Sequence, residues 1–329
     1  MKAGYAEQLN LGNDSSFTEV STFELFGIKV AVRGNHYLKL ILLGFLCAAA
    51  ASVSSALQEN VLRTSAVDYP EVVTLLTVLS YSITGAFQMK VTGSKRKAPW
   101  LHYLGLSLLS FSGMFFTNMA VKYMDYSTRI VFKSGKILPV MLFSVLVLRK
   151  KYEISQWLSA WTLVLGIILF SLGDSVQELH FQTKGLPLIS LAVCIDAYTG
   201  NFEEKVFFKQ DNSCSVHDVI FHSSIFSSLL GFATLFNSTG HSLRGIMYFE
   251  EHPLLLLKVL MSACFGYISL CFILLIIAAF GAAQAELVKC FRKLLTIIIS
   301  FAAFSKDLSM MHVYGFCAIL ISTLVGCRV

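Results

Sequence analysis

Six basic side chains stand where apolar sequence should exclude them. Arg129, Lys133 and Lys136 fall in the apolar stretch 128–148, and Lys289, Arg292 and Lys293 fall in the stretch 284–304. A charge at the centre of a bilayer costs at least ~2.5–3.5 kcal/mol, so basic residues there face a water-filled cavity or an anionic partner. Arg129 is near enough to one end of its stretch to snorkel to the interface, whereas the other five lie one to two turns deeper. Glu286 is the only acid on the same two stretches. The remaining positive charge points to an anion supplied from outside, one rich in phosphate or sulfate.

The elements that position these residues are membrane spans. The 329-residue chain is 55% hydrophobic and only 14% charged, with a mean hydropathy of +0.68; soluble domains carry about 25% charged residues. Runs of about 20 apolar residues give ten candidates: 37–57, 70–88, 101–121, 128–148, 157–173, 186–204, 218–237, 259–280, 284–304 and 308–327. The first 36 residues are polar, mixed in charge and without a compact apolar core, so no cleavable signal is expected and the first span serves as the signal anchor. The eight cysteines form no CxxC and mostly sit inside apolar runs, where packing is their expected role. The net charge of +6 is accounted for by span and loop residues and does not point to nucleic acid.

Ten spans place both termini on one side of the membrane. The segments sharing that side hold fourteen basic residues, among them Lys95-Arg96-Lys97 and Arg149-Lys150-Lys151. The opposite segments hold six: Arg63, Lys122, Lys184, Arg244, Lys258 and Lys306. Basic loops stay in the cytosol, so both termini are expected there. The sequon Asn237-Ser238-Thr239 then falls on the far side.

Sliding the chain by 156 residues lays Lys133 on Lys289, Lys136 on Arg292, Leu138 on Leu294, Ser144 on Ser300 and Lys150 on Lys306. A second echo sets Gln58-Glu59 against Glu203-Glu204. Ten spans therefore read as two fives. Because each half has an odd number, the halves insert in opposite orientations, the inverted-repeat plan that places a binding site near the membrane midplane. At ~1.5 Å per residue, Lys136 and Arg292 lie ~12 Å inside from opposite faces of a ~30 Å core. The expected organisation is an N-terminal cytosolic tail (1–36), a first five-helix repeat (37–173) and a second (174–329), all-α and together one domain.

Other polar residues fall near the mouths of spans. Glu59, Asp196, Glu203 and Glu204 are interfacial caps or pair with Arg63 or Lys205, with the repeat favouring a functional role for Glu59 and Glu204. Asn118, Tyr126, Tyr198 and Asn201 suit an interfacial belt and helix packing, and a base or sugar would need the same partners. Pro139, one turn beyond Lys136, is expected to kink the fourth span and free a carbonyl beside the lysines. Phosphate-binding loops, HExxH and GxSxG are absent, which argues against an ATP-driven pump or a familiar intramembrane hydrolase.

The run Phe132-Lys133-Ser134-Gly135-Lys136-Ile137-Leu138-Pro139-Val140-Met141, followed by Arg149-Lys150-Lys151-Tyr152, closely resembles the fourth-span motif of nucleotide-sugar transporters. The branch resembled includes the 3′-phosphoadenosine 5′-phosphosulfate (PAPS) carriers. Gln58-Glu59, Thr117-Asn118 with Ala120, Leu188-Ile189-Ser190-Leu191-Ala192 running on to Gly200-Asn201 and Glu204-Lys205, Gly281-Ala282, and Arg292-Lys293 with Thr296 extend the likeness over most of the chain. The resemblance implies the ten-helix drug/metabolite-transporter fold. It also implies a Golgi or endoplasmic-reticulum membrane and exchange of a cytosolic nucleotide conjugate for a lumenal nucleoside monophosphate. Plant UDP-galactose/UDP-glucose carriers share nearly the same fourth-span sequence, so the motif does not select the cargo. Lys289-Cys290 stands where such families show a Thr-Thr pair, and Glu203 where Gln is usual. Glu286 is an added acid three residues before Lys289, a spacing that suits a self-compensating pair.

The expectation is an antiporter, not an enzyme, that carries an anionic nucleotide conjugate, PAPS ahead of UDP-galactose or UDP-glucose. Lys133, Lys136, Arg292 and Lys293 would hold phosphate and sulfate oxygens, and Lys289, Glu59, Asn118 and Glu204 are further expected substrate-binding residues. Tyr126, Tyr198 and Asn201 would lie near the base or ribose, as the resemblance suggests. No cofactor or metal is implied, and the expected partners are the nucleotide substrate and the bilayer, with a homodimer left open. The C-terminal Cys327-Arg328-Val329 lacks a dilysine signal, which favours the Golgi over the endoplasmic reticulum. A membrane-embedded transferase acting on lipid-linked or nucleotide-sugar donors is the competing class, but the chain shows no DDxxD-like acidic motif.

Overall fold

The computed structural model describes residues 20–25, 28–33, 36–62, 68–120, 123, 132–133, 135–174, 184–209, 214–237, 239–290 and 310–326. Helices dominate them. α1 (His36–Leu62), α2 (Pro70–Thr92), α3 (Trp100–Ala120), α4 (Ile137–Leu148), α5 (Ile154–Asp174), α6 (Gly185–Glu203) and α7 (Val216–Asn237) are followed by α8 (Thr239–Glu251) and α9 (Pro253–Phe280). A helix over 282–290, here α10, and α11 (Met310–Gly326) complete the set.

Local chemistry sets several boundaries. α2 begins on Pro70, whose missing N–H is no loss in a first turn, and stops at Gly93 with a φ of 62°. Pro253 opens α9, and Gly281 closes it with a φ of 93°. Among the described residues, four helices are long and apolar enough to cross a membrane: Leu38–Gln58 within α1, α2, Val216–Phe236 within α7, and α9. Apolar side chains face outward as well as forming the core. Ile83, Leu101, Ile154 and Phe236 point outward, while Ser107, Thr117, Asn118, Ser144 and Asn201 are buried.

Three features differ from the sequence expectation. The fold is not wholly α, because Val20–Leu25 pairs antiparallel with Ile28–Arg33, from Val20 opposite Arg33 to Leu25 opposite Ile28. The alternation Ile28, Val30, Val32 against Lys29 and Arg33 is a strand pattern inside a segment that reads as a polar tail. The second difference is at Pro139, which lies in the first turn of α4 and does not kink a continuous helix. The chain turns at Gly135-Lys136, and the Gly135 carbonyl accepts from Leu138 N–H at 3.2 Å, so it is not left free. Proline has no N–H for that carbonyl, and its ring crowds the preceding turn. Third, α8 is a short helix outside the ten apolar runs.

Helices from the two halves of the chain pair with each other. α1 packs along α9, α2 along α7, α3 along α6 and α5 along α11, with further packing of α3 on α7 and α2 on α9. Without a hydrophobic driving force in lipid, such pairs rely on small residues and interhelical hydrogen bonds. Ser54 Oγ donates to Ser262 O at 2.8 Å and Ser262 Oγ returns to Ser54 O at 3.0 Å. Ser159 and Ser322 exchange the same bonds between α5 and α11, both at 2.8 Å. Gly166 makes that second contact close: a Cβ there would lie 2.6 Å from Ile319 and 2.9 Å from the Gly315 carbonyl. Gly166→Leu is therefore expected to destabilise the α5/α11 pair by about 1–3 kcal/mol, read as a lowered melting temperature in detergent. An unchanged melting temperature would show that the pair does not need close approach.

Candidate substrate-binding site

The beginnings of α4 and α10 meet α6 through small side chains. Val140, Ala197 and Ala282 form one buried cluster, and a Cβ on Gly200 would sit 3.6 Å from Ala282. Around that contact three of the expected lysines come together. Lys136 Nζ lies 3.0 Å and Lys289 Nζ 2.6 Å from the same oxygen, Glu286 Oε1. Lys133 Nζ lies 3.4 Å from Asp196 Oδ2 on α6. Glu203, also on α6, is buried and close enough to Lys136 and Lys289 to interact electrostatically.

This geometry corrects the expectation that the span lysines lack acids. Asp196 was assigned to a span end and Glu286 to a local pair with Lys289, yet both reach across helices to lysines of the fourth stretch. Placing Asp196 opposite Lys133 requires knowing that α6 lies beside α4 and the segment that leads into it. A Cβ on Gly113 of α3 would collide with the Asp196 carboxylate.

Glu203 also lines a cavity of about 310 Å³ between α1, α2, α3, α7 and α9. Its polar lining is mostly hydroxyl: Ser54, Ser55, Ser110, Ser223, Ser224, Ser227, Ser269 and Tyr81. The lysines do not line it, so the cationic cluster and the hydroxyl-rich room adjoin at one carboxylate. Sequence reasoning missed this room, although Ser223-Ser224 and Ser227-Ser228 recur at i,i+4 as a polar stripe on α7.

The other expected site residues with described side chains each make contacts between helices or aromatic rings. Asn201 is fully buried and clamps α4 to α6, with Ser144 Oγ donating to its Oδ1 at 2.5 Å and its Nδ2 donating to Val140 O at 3.1 Å and Ala197 O at 3.0 Å. Asn118 Nδ2 donates to Thr74 Oγ1 at 2.7 Å, joining α3 to α2. Tyr198 stands in an aromatic row, 5.6 Å from Phe143 and 6.2 Å from Phe202, centroid to centroid. Glu204 begins a π-helical turn, Glu204–Phe208, at the end of α6. Its carboxylate receives Lys150 at 2.7 Å, Lys209 at 3.2 Å and the Ala282 N–H at 2.8 Å, so it caps α10. Tyr126, Arg292 and Lys293 lie outside the described residues, as does the side chain of Glu59.

Residues 40–329 match the UAA transporter family over nearly the whole chain. The chain belongs to that family. Among this chain's relatives is human adenosine 3′-phospho 5′-phosphosulfate transporter 2, 31% identical over 245 residues that make up 74% of this chain and 60% of that protein. UDP-galactose/UDP-glucose transporter 4 of Arabidopsis thaliana is likewise 31% identical, over 66% of this chain and 62% of its own. The chain thus spans about three fifths of the length of these relatives. A solved crystal structure superposes with a TM-score of 0.52, covering 87% of this chain and 98% of the other at 15% identity, a likeness of fold alone.

Gly281 is where the geometry of the α10 cap is most demanding. Its φ of 93° suits glycine, and a Cβ there would come 2.7 Å from Lys150 Nζ and 3.0 Å from Glu204 Oε2. Gly281→Ala is expected to cost about 1–3 kcal/mol from the backbone conformation alone, measured by thermal unfolding. An alanine variant as stable as the parent would remove the cap from the account.

Proposed function

We propose that this chain is an antiporter for an anionic nucleotide conjugate, PAPS foremost, moved from the cytosol into the Golgi lumen in exchange for a nucleoside mono- or bisphosphate. The observation that carries the reading is the meeting of Lys133, Lys136 and Lys289 beside a hydroxyl-lined cavity inside an apolar bundle. Phosphate or sulfate oxygens fit the ammonium groups, and the uncharged nucleoside part fits the serine-lined room. Arg292 and Lys293 add positive charge on the segment following α10, and no acid follows them in sequence until Asp307. Neutralising that excess makes reorientation of a loaded carrier easier than of an empty one.

The ten-span inverted repeat is part of the proposal, with 37–173 and 174–329 as its halves. With α9, α10 and α11 as the eighth, ninth and tenth spans, exchanging the halves turns the α1/α9 pair into α6/α3. It turns α3/α7 into α9/α2 and leaves α2/α7 and α5/α11 as themselves. The observed pairing has that symmetry, which supports the reading. Cytosolic termini follow from the basic loops. In a cysteine-free background, a cysteine at position 95 should react with an impermeant maleimide from the cytosol and one at position 184 only after the vesicles are opened; the reverse would overturn the orientation.

The UDP-galactose/UDP-glucose reading is kept as the second, because the Arabidopsis relative is as similar as the human one. Purified protein in liposomes, carrying labelled PAPS and challenged with cold PAPS, UDP-galactose and UDP-glucose, separates the two. Competition by PAPS alone is the expected result. Competition by the UDP-hexoses transfers the cargo to them, and chemical conversion of the label would mark a transferase instead.

A further inference from the structure

We propose that Glu286 and Asp196 are internal counter-anions: they occupy the lysines' anion positions in the empty carrier and yield them to the substrate. This rests on the anion-carrier reading above. Glu286 Oε1 receives two ammonium groups from separate segments of the chain, Lys136 at 3.0 Å and Lys289 at 2.6 Å. A phosphate or sulfate oxygen bridged by two lysines would sit in the same place. Asp196 faces Lys133, and its carboxylate packs over Gly113 of α3, where an added Cβ would force it to shift.

With Glu203, three carboxylates face three lysines among the described residues of this network. A polyanion added to that set without displacement would place like charges side by side, which costs several kcal/mol. The substrate therefore binds by exchanging ion-pair partners. This arrangement also selects by repulsion. A monovalent anion such as chloride cannot replace a carboxylate held by two lysines, whereas a multiply charged nucleotide can, so the acids lower overall affinity and exclude the abundant small anions.

The test is equilibrium binding to the purified full chain of adenosine 3′,5′-bisphosphate, UDP, AMP and uncharged adenosine, with thermal unfolding as a check on folding. Glu286→Gln should tighten the bisphosphate, or UDP if that is what the parent binds, by about tenfold, within the usual range of coupling energies. AMP should gain less and adenosine nothing, chloride should become a competitor, and Glu286→Asp should restore parent behaviour. Asp196→Asn, which removes the carboxylate charge 3.4 Å from Lys133, gives a separate reading should Glu286→Gln fail to fold. Unchanged or weaker nucleotide binding in the folded variants overturns the counter-anion role and leaves the carrier reading standing. Failure of the parent protein to bind any of the charged nucleotides overturns both.

Discussion

Replacing Lys136 by alanine is expected to reduce nucleotide exchange at least about 100-fold, in line with removal of one partner from a buried charged contact. The fold should survive the change. Glu286 keeps Lys289 on the same oxygen at 2.6 Å when Lys136 is gone, so no carboxylate is stranded. Initial rates of exchange in liposomes, set beside a melting curve, read the two effects separately. Exchange at the parental rate would remove Lys136 from the site. Loss of folding together with activity would reassign it to the structure.

Glu204→Ala should fail in the opposite way. Its carboxylate is almost fully buried and receives Lys150, Lys209 and the Ala282 N–H, tying the end of α4, the π turn and the start of α10 together. Removing one partner of a buried ion pair costs about 3–5 kcal/mol; the partly exposed lysines lower the expectation to roughly 2–4 kcal/mol. A falling melting temperature and poor recovery from the membrane should therefore precede any change in substrate affinity. A stable variant with a raised KM would instead return Glu204 to the substrate, the role its repeat partner Glu59 suggests.

The contrast between these two residues shows what the sequence made legible. Lysines inside apolar runs are costly enough to be noticed without a structure, and three of them are found together. Acids at span ends are common, so nothing in sequence separates Asp196, which reaches a lysine of the fourth stretch, from Glu204, which caps a helix. That distinction depends on which helices are neighbours. Asn118 and Asn201 show the same difficulty, since an amide that joins helices and one that binds a ribose leave the same trace. Among the described residues, α1, α2, α3, α5, α6, α7, α9 and α11 fall on apolar runs, whereas α8 was hidden by its polarity and the Val20–Arg33 hairpin by its position before the first span. Pro139 reads from the sequence as a kink, whereas it lies in the first turn of α4, because a proline is tolerated in a first turn and not in an interior one.

The account's central claim is exchange of anionic nucleotides through the lysine cluster, and trans-stimulation tests it most directly. Labelled PAPS is presented to liposomes that are empty or preloaded with adenosine 3′,5′-bisphosphate, AMP, UMP or adenosine. The predicted result is slow uptake into empty liposomes and into those holding adenosine, and strong acceleration by an internal nucleotide anion, since only a charged ligand relieves buried cations that cost kilocalories each. Acceleration by UMP would redirect the cargo to a UDP-hexose within the same mechanism. Rapid net uptake into empty liposomes, equal to that with bisphosphate inside, would contradict it.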